Sequence, residues 1–264
     1  LERIEKAYQL YDAERRRPVG RDDKRVAELE KAWRAAIREA EPLVKKNEFS
    51  EIVERNGGAD MNAGTSAEET MYFYSLPSNR LELWAYLESE RFLRPVMREF
   101  YTERDVVMEE RRMRTDSSPI GRLVEQFLSA AFTAHPYGRP IVGWPSDLNT
   151  FSAADAKRFF SRYYVPSNMV ISLVGDIRAK QAMPIIERYF GRIPAAPKPA
   201  PLATEEPVQQ VERRIIMKDA SQPFYLEGYH RPDFRAADDA VYDAISDILS
   251  SGRTSRLYRA LVRD

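Results

Sequence analysis

The chain has 264 residues, with 41 Lys and Arg against 41 Asp and Glu, so its formal net charge is zero. That balance excludes broad electrostatic attraction to nucleic acid or to an anionic membrane. The absence of cysteine excludes disulfides, cysteine–zinc sites, iron–sulfur clusters and thiol nucleophiles.

Hydrophobic residues make up 43% of the chain, enough for a real core. The most apolar stretch, Met169–Val174, is far shorter than the ~20 residues a membrane-spanning helix needs. From the start, Leu1, Ile4, Tyr8 and Tyr11 fall at helical spacing. Pro18-Val19-Gly20 breaks the pattern, and Val26, Leu29, Trp33, Ile37 and Leu43 restart it. Residues 1–47 therefore read as a helical hairpin whose charges are solvated.

A short helix over 47–55 runs into Asn56-Gly57-Gly58, a stop and turn signal. Asp60–Ser66 and Thr70–Leu76 read as strands joined by Ala67-Glu68-Glu69. Helical runs follow over Arg80–Leu93, Glu99–Arg114 and Ile120–Phe132, and His135–Pro140 reads as a loop. Ser152 and Asp155 have the spacing of a capping box that opens a helix to about Tyr164. Asn168–Val174 reads as a central strand buried on both faces. Lys180–Phe190 is helical and stops at Gly191.

Five of the 17 prolines lie between Pro194 and Pro207, which marks a linker. Beyond it, Val211–Lys218 and Phe224–Tyr229 are strand candidates, Asp238–Leu249 is helical, and Ser255–Asp264 starts another helix. The predicted class is α+β, in two domains. Neither end carries a helix start or stop signal, so the chain reads as a piece of a longer protein, and any targeting signal is expected upstream.

The chemistry concentrates in the helix over Glu99–Met113. Glu103, Val106, Val107 and Glu110 share one of its faces, with the two carboxylates about 10 Å apart along the axis. The two valines predict that this face is buried, with Glu109, Arg111, Arg112 and Arg114 mostly outside. A carboxylate taken from water must be ion-paired, protonated or metal-bound. Two readings follow from the spacing: a pair of salt bridges to the nearby arginines, or one metal ligand and one carboxylate that steadies another ligand. His135 and His230 have no partner at metal spacing and read as structural. Trp33, Trp84 and Trp144 read as packing residues.

Several segments together carry a resemblance. They are Gly58–Ser66 with Glu69–Tyr72, Glu103–Glu110 (ERDVVMEE), His135–Pro140 (HPYGRP), Tyr163–Met169 (YYVPSNM) with Val174-Gly175-Asp176, and Ser255–Tyr258. In this order they resemble the insulinase/pitrilysin, or M16, family of zinc metallopeptidases, in its bacterial branch. The resemblance implies a mostly antiparallel sheet flanked by helices. It makes residues 1–47 a helical insertion, 48–194 the remainder of a first domain, 195–210 a Pro-rich linker and 211–264 the start of a second domain.

In that family zinc is held by two histidines of a His-x-x-Glu-His motif, whose glutamate is the general base, and by a distant glutamate. The resemblance makes Glu110 that third ligand and Glu103 the carboxylate that steadies a zinc-bound histidine. The motif itself is expected upstream of Leu1, so the catalytic base lies outside this chain, which alone is expected to bind zinc weakly or not at all. Asn62, Ala63 and Gly64 resemble the family's edge strand, to which a peptide substrate adds by backbone pairing. The implied partners are a peptide and a second M16 half, or a second chain, closing a chamber. A non-catalytic M16-like subunit that binds peptides and pairs with an active partner is the alternative. A bacterial compartment is expected, periplasmic in preference to cytoplasmic.

Overall fold

The computed structural model describes residues 1–263. Helix α1 (Glu2–Arg15) and helix α2 (Asp23–Ala40) form the predicted hairpin. Gly20 makes the break by adopting φ +73°, and the Asp22 carboxylate caps α2 by accepting from the N–H groups of Lys24 and Arg25 at 2.9 and 3.2 Å. The apolar stripes of both helices meet. Tyr11 stacks on Trp33 with ring centroids 5.4 Å apart, and Tyr8 lies 5.2 Å from the same indole.

Helix α3 (Glu48–Arg55) ends at Asn56 and leads into the hairpin of strands β1 (Ala59–Thr65) and β2 (Thr70–Ser75). The two strands pair antiparallel, with Asn62 opposite Phe73 and Gly64 opposite Met71. A register shift lies between Ala59 and Asn62, where Asp60 takes φ +57°. Helix α4 (Leu81–Leu93), helix α5 (Phe100–Arg111) and helix α6 (Pro119–Ala131) follow, with a wide π-type turn over Arg112–Asp116 between the last two. Gly121 is required here, because a Cβ on it would stand 2.1 Å from the Arg114 carbonyl oxygen.

Helix α7 (Pro145–Thr150) is short, and helix α8 (Ala153–Tyr163) opens with the predicted capping box. Ser152 Oγ accepts from the Asp155 N–H at 3.1 Å, and the Asp155 carboxylate accepts from the Ser152 N–H at 2.9 Å. Helix α9 (Ala179–Phe190) packs on α4 through Trp84 and Phe190, 5.6 Å apart. The main core joins Ile4, Tyr8, Tyr11, Trp33, Ala36, Tyr101 and Ala153. The residues divide into two units, Leu1–Gln210 and Val211–Asp264. The second contains helix α10 (Asp239–Ser250), where Arg231 pairs with Asp239 and Asp243. A helical turn over Arg256–Tyr258 follows. The helix start expected over Ser255–Asp264 runs on as a π-type turn to Arg263, and Asp264 lies outside the described residues.

Three expected strands are corrected. Asn168 closes a 3-10 turn over Pro166–Asn168, and Met169–Val174 joins no sheet and is not buried on both faces. Met169, Ile171 and Leu173 are half-buried, while Val170 is 96% exposed and Val174 is also exposed. Val211–Lys218 and Phe224–Tyr229 likewise form no ladder, and most of their side chains are exposed. A strand exists only by pairing with a neighbouring backbone, and among the described residues β1 and β2 alone form a sheet. The α+β class with an antiparallel sheet stands.

Candidate metal-ligand helix and edge strand

Helix α5 carries both candidate carboxylates, and its orientation is set by the opposite face. Tyr101, Arg104 and Arg111 are its buried residues. The Tyr101 ring lies 4.6 Å from Tyr8 and 5.3 Å edge-on from Trp33. Its hydroxyl donates to Glu5 at 2.7 Å. Burial, then this hydrogen bond, pushes the Tyr101 phenol far above its ordinary value. The Arg104 guanidinium sits 5.1 to 5.4 Å over the rings of Tyr8, Trp33 and Tyr101. It donates to the Tyr8 hydroxyl at 3.1 Å and to the Phe151 carbonyl at 2.9 Å. Arg111 forms a two-point pair with Glu125 at 2.7 and 3.1 Å and donates to the Gly143 carbonyl at 2.9 Å. Glu125 raises the Arg111 pKa further above its ordinary value.

This overturns the predicted burial. Glu103, Val106 and Glu110 do share one face, but it is the outer one, and Arg111 is buried rather than exposed. Val106 is 55% exposed and the Glu110 side chain 38%. The physical reason is that four aromatic rings and two arginine stems offer more contact area than two valines do. A guanidinium is also weakly hydrated and stacks on ring faces, so an arginine can occupy an aromatic core. The signal was present in the sequence as Tyr101, Arg104 and Arg111 at helical spacing, matching the tyrosine stripe of α1.

The Glu110 carboxylate pairs with Arg114, one turn on, at 2.7 Å. Glu103 is exposed. Among the described residues, no three His, Cys, Asp or Glu side chains gather where they could hold a metal ion. A catalytic zinc takes about three protein ligands and a water, so the described donors do not by themselves fit a zinc centre. His135 Nδ1 accepts from the Tyr137 N–H at 3.3 Å, a structural role.

Asn62, Ala63 and Gly64 lie in β1, with every residue of that strand exposed. The Asn62 side chain accepts from the Ala63 N–H at 2.8 Å. A Cβ on Gly64 would meet nothing within 4 Å, so the glycine leaves open space beside the strand. Only β2 pairs with β1 among the described residues, leaving the other edge of β1 without a ladder partner there. No described hydrogen bond or ion pair links β1 to α5.

Comparison with known proteins defines the class. The family described as Insulinase (Peptidase family M16) matches residues 43–144, and the one described as Peptidase M16 inactive domain matches residues 150–264. The chain belongs to the M16 peptidase family. It is 33% identical over 225 residues to the zinc protease PqqE of Helicobacter pylori, covering 83% of this chain and 50% of that protein. It is 27% identical to the uncharacterized zinc protease YmxG of Bacillus subtilis, covering 82% of this chain and 52% of that protein. Among solved structures, a protease from Helicobacter pylori superposes with a TM-score of 0.72 at 33% identity, over 83% of this chain and 54% of that one. The first half of the periplasmic protease PqqL from Escherichia coli gives 0.53 at 26% identity, over 62% of this chain and 36% of that one. The chain thus spans about half the length of the curated relatives it matches.

Proposed function

We propose that the whole protein is a zinc-dependent endopeptidase acting on peptides or unfolded chains, and that this chain supplies one metal ligand and one substrate-aligning strand. The observation that carries the reading is the orientation of α5. Its aromatic–arginine face is anchored in the core, which holds the Glu103–Glu110 face outward on a rigid element, as a ligand site requires. Glu110 is the ligand, held in readiness by an exposed one-turn ion pair that a metal displaces at little cost. Glu103 steadies a neighbouring ligand. Support comes from membership of the M16 family and from the zinc protease names of its relatives.

The edge of β1 at Asn62–Gly64 accepts the peptide backbone, which gives binding tolerant of sequence. Gly64 leaves room for a substrate side chain. A second M16 half, or a second chain, closes over this edge. The relative crystallised as the first half of PqqL supports an arrangement in halves, and its periplasmic location supports the same compartment here. The domain boundaries follow the same reading: an inserted hairpin over 1–47, the rest of the first domain over 48–194, a linker over 195–210 and a second domain from 211. The division of the structure at Gln210 supports the last of these.

The test is Glu110→Gln in the full-length protein, with zinc content measured by elemental analysis and peptide hydrolysis measured alongside. Loss of both is expected. Unchanged zinc content would remove the ligand assignment. Wild-type protein with neither zinc nor hydrolysis would instead select the non-catalytic peptide-binding subunit, which the inactive-domain match over residues 150–264 keeps in view.

A further inference from the structure

The Pro-rich segment 195–210 has no regular secondary structure and is mostly exposed, yet it is fastened at one point. The Glu206 carboxylate accepts four hydrogen bonds from one short stretch of chain. Its Oε1 takes the Thr133 N–H at 2.8 Å and the Thr133 hydroxyl at 2.9 Å. Its Oε2 takes the N–H groups of Ala134 and His135, both at 2.8 Å. Three successive backbone N–H groups converging on one anion form a nest, and each bond is charge-assisted. These donors, the His135 N–H foremost, hold the carboxyl down to about 2. A second contact, from the Ser167 hydroxyl to the Ala196 carbonyl at 2.8 Å, holds the other end of the segment. Pro197, Pro199 and Pro201 stiffen the half of the segment that follows Ala196, and Glu206 fixes its far end.

The same loop reaches the β1–β2 hairpin. The Tyr137 hydroxyl donates to Glu68, in the connection between the two strands. Between Glu206 and Glu68 the loop is closely packed and internally hydrogen-bonded. His135 and Tyr137 rings meet edge-on at 4.3 Å, and Phe132 meets Tyr137 at 5.4 Å. The Gly138 N–H donates to the His135 carbonyl at 3.1 Å, and Ser129 holds the Gly138 carbonyl at 3.1 Å. A Cβ on Gly138 would stand 2.3 Å from the Phe132 carbonyl oxygen, so the loop closes too tightly for any other residue there.

We propose that Glu206 is a latch: it docks the Pro-rich strap into the Thr133–His135 nest and, through Tyr137 and Glu68, restrains the β1–β2 hairpin. The restraint follows from three contacts in series, each within one loop's length of the next. Where the Asn62–Gly64 edge receives peptide, which rests on the reading above, the latch makes Glu206 and Tyr137 positioning residues for that edge. The structural coupling itself needs neither metal nor peptide.

Hydrogen exchange followed by mass spectrometry on the full chain, without metal or substrate, tests the coupling. Glu206→Ala is expected to speed exchange about tenfold at residues 133–135 and by about two- to fivefold in the hairpin, residues 61–72. Glu206→Gln, which keeps one acceptor oxygen, is expected to fall between that variant and wild type. Tyr137→Phe is expected to free the hairpin while the nest stays protected. Unchanged exchange across α1 and α2 verifies that the core stays folded. A hairpin that exchanges at the wild-type rate in Glu206→Ala overturns the proposal, whether or not the nest opens. Because no arm measures zinc or hydrolysis, a failed peptidase reading leaves this result standing.

Discussion

The α1–α2–α5 core is built from apolar stripes on charged helices, while Met169–Val174 is a nearly continuous apolar run, yet it is the stripes that are fully buried and the run that is left partly in solvent. In the core, Trp33 is 1% exposed and is surrounded by Tyr8, Tyr11, Tyr101 and the Arg104 guanidinium. In the segment, Val170 stands almost wholly in solvent. The difference lies in what each needs from a neighbour. A helix satisfies its backbone within itself, so an amphipathic helix can be assembled by side-chain packing alone. An extended segment leaves its N–H and C=O groups unpaired until another strand lies alongside. Apolar composition makes burial favourable; it does not supply the partner.

The comparison sharpens most at the core. Trp33→Ala removes the indole on which three tyrosines and the Arg104 guanidinium converge, and is expected to cost about 3–5 kcal/mol of stability. Urea unfolding measures it, and a loss below about 1 kcal/mol would mean that the ring cluster is not the core. A smaller effect is expected from alkaline pH. Burial raises the Tyr8 and Tyr101 phenols, with the Glu5 carboxylate adding to the shift at Tyr101. A raised folded-state pKa gives stability that is whole below the unfolded value of about 10 and declines as pH rises past it. The urea midpoint should therefore stay level up to about pH 9 and fall above about pH 10, with the tyrosinate absorbance of Tyr8 and Tyr101, isolated by difference against Tyr8→Phe and Tyr101→Phe, appearing only as the chain unfolds. That difference signal forming ahead of unfolding would show these two phenols to be wet. The smallest effect is expected at the exposed end of the comparison, where Val170→Ser should change stability by no more than about 0.5 kcal/mol. A larger loss would place Val170 in a packed environment.

Helices were the most legible elements. The hairpin of α1 and α2, the capping box at Ser152 and Asp155, and the break at Gly20 all follow from local chemistry and appear where the residues point. The β1–β2 hairpin was legible because its two strands are neighbours along the chain, and its short connection brings them together. The three other strand candidates were not legible as paired or unpaired, because pairing depends on residues remote in sequence. At the candidate site, the shared face of Glu103 and Glu110 could be read from spacing, while its direction could not. The valines suggested burial, and by the same helical geometry Arg111 was placed outside. Arg111 is instead buried against Trp144 and Glu125, and Arg104 takes the opposite face from the valines because its planar head fits the rings contributed by α1 and α2.

Glu206 shows the same division. Its place among prolines marks it as part of a linker, and nothing adjacent to it indicates a binding partner. Only folding brings the loop at Thr133–His135 within reach and points three amide N–H groups at it. Sequence by itself determined the helices and the turns, because each depends on spacing along the chain, and the order of its motifs determined the family. Tertiary structure alone decided which face of α5 is anchored, which extended segments pair, and where the linker docks. These depend on competition among surfaces that the chain brings together only when folded.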